Sequence, residues 1–282
     1  MSAPAPTAGP PAGALLMLSG LLEQRTGQQL AANRAWRLET TLGPIMRELE
    51  LASLDELVLE ILAARDGALA DQVVDALLNG ETSFYRDAMV IDMAVDALLS
   101  RASCGRLRVW SAGCSTGQEA LSLAMLFSER TKDVKVAPEI LATDVSRTAL
   151  ARARSGRYSQ FEIQRGLPVR RMIDWFETGD DGWVARPDLL RRIHFRRHNL
   201  VADPMPAGGF DLILCRNVLL YFSAAVRRHV FDGLAAALRP GGLLLLGAGE
   251  TVIGQTEAFQ PSSRWRGFYE AVPAQSRARR SA

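Results

Sequence analysis

The chain has 282 residues, 48% hydrophobic and 23% charged, an ordinary balance for a globular protein with room for a full α/β domain and a smaller companion. Its formal net charge of +2 does not by itself point to nucleic acid or a membrane surface. Three cysteines (Cys104, Cys114, Cys215), an odd number without CxxC spacing, argue against a disulfide framework and for a reducing, cytoplasmic setting.

Residues 1–13 are rich in Pro, Ala and Gly, carry no basic region and read as a flexible, disordered lead. The apolar run Ala14–Leu22 that follows is too short for a membrane span, and no basic stretch precedes it to make a signal peptide. Residues 14–78 show helical periodicity and no strand signal, which predicts a small all-α domain. Leu15, Leu18, Leu21 and Leu22 mark one helix, and a second runs from about Leu30 to Leu49. Ser53-Leu-Asp-Glu56 has the form of a capping box. Asp71, Val73, Val74, Ala76, Leu77 and Leu78 mark a further helix. Arg34, Arg37 and Arg47 add positive charge to the second helix; a solvated face is the favoured reading, and a dock for an acidic partner is the alternative.

Residues 79–104 form a linker and a helix. The linker, Asn79-Gly-Glu-Thr-Ser-Phe-Tyr-Arg-Asp87, packs polar and aromatic residues at a domain junction, a favoured place for a ligand. Thr82 and Arg86 share one face if the turn is helical. The plainer reading is a helix start capped by Thr82 or Ser83, continuing through Ile91, Ala94, Val95 and Leu98.

The main domain is predicted over 105–272. Leu107, Val109 and Trp110 suit a buried strand. The chain then turns through Ala112-Gly113-Cys-Ser-Thr-Gly117 into a helix carrying Leu121, Ala124, Met125 and Phe127. A strand, a small-residue loop and a helix make a cradle for a nucleotide-like ligand. The third glycine of the dinucleotide fingerprint is absent, and no Gly-Lys-Ser/Thr follows for a phosphate loop. Glu119 in the first helical turn repels a pyrophosphate but not a sulfonium, so S-adenosylmethionine fits. An ordinary strand-to-helix turn is the alternative.

Glu139-Ile-Leu-Ala-Thr-Asp144 reads as the second strand, with Asp144 placed to hold ribose hydroxyls and Ser146 as the next helix cap. Asp144 as a plain helix cap is the lesser reading. Residues of about 157–192 break the strand–helix alternation and read as an inserted helix and hairpin, turning at Gly179-Asp-Asp-Gly182. Ile193–Asn199 looks like another strand. If it is extended, the Cα atoms of His194 and His198 lie about 13 Å apart, too far for one metal ion. Phe210–Asn217 is a buried strand that delivers Arg216, Asn217 and then Tyr221 toward the ligand crevice; Tyr221 packed on a helix is the alternative. Ser223 starts a helix reaching Leu238, Leu243–Gly247 forms a buried strand, and Arg264–Val272 supplies an antiparallel closing strand. Residues 273–282, with Arg277, Arg279 and Arg280, read as a polar, disordered tail.

Taken together, these motifs resemble the chemotaxis receptor glutamate O-methyltransferase family (CheR) over most of the chain. The resemblance rests on Glu81-Thr-Ser-Phe-Tyr-Arg86, Trp110-Ser-Ala-Gly-Cys-Ser-Thr-Gly-Gln-Glu119, Ala142-Thr-Asp144, Ala153-Arg-Ser-Gly-Arg-Tyr158, Asn199-Leu200, Cys215-Arg-Asn-Val218 with Tyr221-Phe222, and Pro240-Gly-Gly242. It implies a class I S-adenosylmethionine-dependent methyltransferase fold: a mostly parallel doubly wound sheet with an antiparallel closing strand, a small all-α N-terminal domain and an inserted small β-subdomain. It implies S-adenosyl-L-methionine as cofactor, S-adenosyl-L-homocysteine as product and glutamates of the chemoreceptors' cytoplasmic domain as substrate. Thr82, Arg86, Glu119, Asp144, Asn199, Leu200, Arg216 and Asn217 carry over as cofactor contacts, joined by Gly113 of the loop. Neither nucleic acid nor membrane insertion is implied, and a monomer is expected. Two departures stand out. Gly80 occupies the place where the family usually carries Asn, with Asn79 one residue earlier. The insertion is short around Gly179–Val184, where members that grip a receptor's C-terminal pentapeptide have a longer loop, so no such tether is expected.

A glutamate side chain has a reference pKa near ~4.3 and is already a nucleophile at neutral pH, so no general base is needed. Arg86 is the choice for orienting a carboxylate, because a guanidinium fork matches one. Tyr221 is the choice for lining the methyl passage or bonding the incoming oxygen. The rival readings are a methyltransferase for another substrate and a non-catalytic S-adenosylmethionine-binding signalling protein.

Overall fold

A computed structural model of the chain describes residues 12–30, 37–101, 106–131 and 137–273. The lead before residue 12, Arg34, Cys104 and the C-terminal arginines lie outside them. The chain divides into two compact units: one runs to Asn79 and includes Tyr221–Ser223; the other comprises Gly80–Leu220 and the chain from Ala224 onward.

The first unit is helical. Its described helices are α1 (Ala12–Thr26), α2 (Leu38–Glu48), α3 (Leu54–Ala63) and α4 (Ala68–Leu77). Apolar residues at helical spacing (Leu18 and Leu22, Leu38 and Leu42, Leu54 and Leu57, Val73 and Leu77) meet in one buried cluster. The Ser53 side chain caps α3 by accepting from the Glu56 N–H at 3.2 Å. The expected reciprocal bond is displaced by one residue, because the Glu56 carboxylate accepts from the Ala52 N–H at 2.8 Å. Residues 28–29 pair with the 221–222 segment: Gln28 bridges Phe222, and the Gln29 N–H donates to the Tyr221 carbonyl at 2.8 Å.

The second unit opens with α5 (Ala88–Leu99). This helix starts later than the sequence suggests, and neither Thr82 nor Ser83 caps it. Tyr85 and Asp87 take positive φ (49° and 57°), which keeps the preceding turn out of the helix. Asp87 stands at the N-cap without a side-chain cap bond, its carboxylate being paired with Arg216.

The main sheet is built from β1 (Arg108–Ala112), β2 (Glu139–Asp144), β6 (Ile193–Arg197), β7 (Phe210–Cys215), β8 (Leu238–Leu246), β9 (Phe259–Pro261) and β10 (Phe268–Ala271). Its seven strands lie in the order β6-β2-β1-β7-β8-β10-β9. Pairing is parallel from β6 to β8, and β10 is antiparallel to β8 and β9. This is the expected class I methyltransferase fold. The helices α6 (Gln118–Arg130), α7 (Arg147–Ser155) and α11 (Ala224–Ala237) connect or flank the strands. Every residue of β7 is buried, as a strand covered on both faces requires. At the amino end of β7 the fully buried Asp211 carboxylate accepts from the Arg108 N–H at 2.9 Å and pairs with Arg239, tying β1, β7 and β8 together.

The closing strand is shorter than the 264–272 alternation suggests, since Trp265 lies in the turn before β10. The inserted subdomain is richer than a helix and hairpin. It has a three-stranded antiparallel sheet, β3 (Arg157–Tyr158), β5 (Gly182–Ala185) and β4 (Phe176–Gly179), in that spatial order. It also has the short helices α8 (Gln160–Gln164), α9 (Val169–Trp175) and α10 (Pro187–Leu190). Gly182 is required where it is: φ is 144°, and a Cβ there would come within 2.4 Å of the Tyr158 carbonyl oxygen.

Candidate functional site

The carboxyl ends of β1, β2, β6 and β7 lie along one edge of the parallel sheet, the edge where open α/β sheets bind ligands. At the end of β1 the chain turns through Gly113 (φ 80°), Ser115 (φ 50°) and Gly117 (φ 94°) before α6 begins. The Gly113 and Cys114 N–H groups both donate to the Thr143 carbonyl, at 2.8 and 2.9 Å, fastening the loop to the end of β2. A Cβ on Gly113 would sit 2.4 Å from a methyl of Val218, so only glycine lets these segments close.

Asp144 closes β2. One carboxylate oxygen accepts from the Ser115 N–H at 2.7 Å and the other from the Ser146 N–H at 2.9 Å. The Ser146 hydroxyl in turn caps α7 by accepting from the Ala149 N–H at 3.0 Å. The loop is held from two further sides. The Ser115 hydroxyl donates to the Gly80 carbonyl at 2.6 Å, and the Tyr158 hydroxyl, from β3 of the inserted subdomain, donates to the Thr116 carbonyl at 2.7 Å.

Glu119, in the first turn of α6, accepts from the Ser111 hydroxyl at 2.7 Å with one oxygen and from Arg216 at 3.1 Å with the other. The Arg216 side chain is 3% exposed and also pairs with Asp87. Two carboxylates therefore compensate one buried guanidinium, whose Nε carries no hydrogen bond. The sequence set Arg216 on the cofactor; the structure gives its terminal nitrogens to Glu119 and Asp87.

Beyond β6, Asn199 and Leu200 are both buried. The Asn199 side-chain oxygen accepts from the Val201 and Ala202 N–H groups at 2.9 and 3.3 Å, a local turn closure. His198 is buried with its Nε2 3.1 Å from the Pro204 carbonyl, while His194 is exposed on β6. Among the described residues no group of three His, Cys, Asp or Glu could hold a metal ion. Thr82 and Arg86 lie half-buried in the loop and turn before α5, and Arg86 makes one long bond, 3.4 Å, to the Glu81 carbonyl. Tyr221 falls in the helical unit, where its hydroxyl accepts from the Asn79 side-chain amide.

Glu250, which the sequence reading did not single out, accepts from the N–H groups of Gly247, Asn217, Val218 and Leu220. Its signal was present in Gly247-Ala-Gly-Glu250, a carboxylate placed directly beyond a buried strand. Burial pushes the Cys114 and Cys215 thiols well above the ordinary range, and nearby carboxylates push further. Both are protonated at neutral pH and poor nucleophiles.

The donor set suits S-adenosylmethionine. The Asp144 carboxylate, fixed at the end of β2 by the Ser115 and Ser146 amides, is the kind of acceptor that ribose hydroxyls donate to. The positive φ angles of Gly113 and Gly117 shape the loop and let it close on Val218, Ala153 and Tyr158, and Glu119 favours a cation over a phosphate.

Comparison with known proteins agrees with this geometry. The family model described as "CheR methyltransferase, SAM binding domain" matches residues 80–267. The chemotaxis protein methyltransferase Cher2 of Pseudomonas putida is 36% identical over 248 residues, covering 85% of this chain and 90% of that protein. Chemotaxis protein methyltransferase 1 of Pseudomonas aeruginosa is 37% identical, again covering 85% and 90%. The chemotaxis protein methyltransferase of Vibrio parahaemolyticus is 35% identical, covering 86% and 90%. With the loop, the strand order and Asp144 in place, the chain belongs to the CheR methyltransferase family, and S-adenosylmethionine is its cofactor.

Proposed function

We propose that the protein methylates glutamate side chains on the cytoplasmic domain of chemoreceptors, forming methyl esters that set sensory adaptation. The observation that carries this reading is the cofactor cradle, Gly113–Gly117 with Asp144, in a chain 36% identical over 248 residues to a chemotaxis protein methyltransferase. When bound, S-adenosylmethionine supplies an electrophilic methyl group next to a positively charged sulfur.

In this reading the chain's residues bind and align. Asp144 holds the ribose hydroxyls, and Gly113 lets the backbone approach the nucleoside. Glu119, set by Arg216, contributes beside the adenosine. Thr82, Asn199, Leu200 and Asn217 complete the wall. Arg86 orients a carboxylate, with little else bonding its guanidinium. Tyr221 approaches the incoming carboxylate oxygen. A glutamate is ionised at neutral pH, so the work is in-line placement of oxygen, carbon and sulfur and not proton removal.

The hairpin between β4 and β5 turns through only Asp180 and Asp181, since Gly179 pairs directly with Gly182. So short a turn favours methylation without a pentapeptide tether. Among the described residues no helix is long and apolar enough to cross a membrane. We place the protein in the cytoplasm, acting as a monomer on receptors it meets there. The test is incubation with methyl-labelled cofactor and receptor-bearing membranes, then alkaline treatment. Base-labile label released as methanol from the receptor band is expected, including from receptors truncated at their C-terminus. Base-stable label, or label only on small molecules or nucleic acid, would overturn the substrate assignment.

A further inference from the structure

Segment 217–220 follows β7 directly and borders the cofactor loop, and its backbone is unusual. Asn217 is held at φ 59°, a left-handed conformation that few non-glycine residues adopt and that asparagine enters more readily than most. The next residue, Val218, is the one whose methyl stands where a Gly113 Cβ would be, 2.4 Å from it. Any drift of Val218 therefore changes the space against Gly113. Asp87 and Glu119 fix Arg216, the residue before this turn, but neither carboxylate holds the N–H groups of residues 217–220.

The carboxylate of Glu250 does. One oxygen accepts from the Asn217 N–H at 2.7 Å and the Gly247 N–H at 2.9 Å. The other accepts from the Val218 N–H at 3.0 Å and the Leu220 N–H at 3.2 Å. An anion thus fills a nest of backbone donors drawn from the ends of two neighbouring parallel strands, paired at Cys215 and Leu246. The fit is tight, since a Cβ on Gly247 would lie 2.9 Å from both the Asn217 nitrogen and a Glu250 oxygen.

We propose that Glu250 is a positioning residue of the cofactor pocket, holding the 217–220 turn so that Asn217 and Val218 close on Gly113. It acts through the backbone and not by touching the cofactor. The inference rests on S-adenosylmethionine as the ligand and is independent of which acceptor is methylated.

The test compares two variants by calorimetric titration with S-adenosylhomocysteine and by thermal melting. Glu250→Gln keeps the shape but turns an NH2 toward two of the four N–H groups. Asp211→Asn weakens the buried carboxylate knot at the opposite, amino end of β7. Glu250→Gln is expected to weaken binding about thirtyfold, the scale of losing charged acceptors for backbone donors. Asp211→Asn is expected to lower the melting temperature as much or more while leaving affinity within about twofold, because that end of the strand carries no ligand residue. Wild-type affinity in Glu250→Gln would overturn the proposal, as would affinity losses in both variants that simply follow their melting temperatures. If the wild-type protein itself failed to bind S-adenosylhomocysteine, the cofactor assignment would fall.

Discussion

Asp144 does two jobs at once. Its oxygens anchor the Ser115 and Ser146 amides, and the same carboxylate is the group proposed to hold the ribose. Asp144→Ala should therefore weaken S-adenosylhomocysteine binding at least about tenfold in calorimetry, since a charged acceptor is lost to the ligand and to the loop together. Unchanged affinity would remove Asp144 from the site. Residues of this kind were legible in the sequence, because a carboxylate ending a strand after a small-residue loop carries its own signal. Glu250 carried only the weaker form of that signal, a carboxylate just beyond a buried strand, and its role was hidden because its partners are backbone amides, three of them some thirty residues earlier. Arg216 was located but its partners were not: pairing with Asp87 and Glu119 joins positions distant in sequence, and spacing alone cannot reveal that.

Among the elements, the inserted subdomain reaches the cofactor loop through the Tyr158 side chain. Tyr158 is 2% exposed, packs edge-on against Phe84 and Phe176, and places its hydroxyl on the Thr116 carbonyl. Burial raises the pKa of this hydroxyl, so it is a fixed donor at any physiological pH. Tyr158→Phe removes that bond and leaves a buried carbonyl short of a partner. Unfolding in urea should show a loss of about 1 kcal/mol, and titration should show a several-fold rise in Kd for S-adenosylhomocysteine. Neither change appearing would mean that this bond does not hold the cofactor loop. The hairpin itself was readable from Gly179-Asp-Asp-Gly182. The strand β3 was not, having two residues, and β9 has three and ends in Pro261. The start of α5 was misplaced for a conformational reason: no hydrophobic pattern announces left-handed Tyr85 and Asp87.

At the scale of the molecule, the alternation of buried strands and helices specified a parallel sheet, and the antiparallel β10 joins it as expected, with β9 added beyond it at the edge. The helical unit was equally clear from its leucine spacing. The proposed cofactor residues of the larger unit follow the carboxyl ends of β1, β2, β6 and β7 or lie in the segment before α5. Tyr221 is grouped with the helical unit. The most direct measurement is a crystal structure of the protein grown with S-adenosylhomocysteine. The nucleoside is expected against Gly113–Gly117, with its ribose hydroxyls on the Asp144 carboxylate. A ligand bound away from the carboxyl edge of the sheet, or a ribose held by other groups with Asp144 untouched, would contradict this placement.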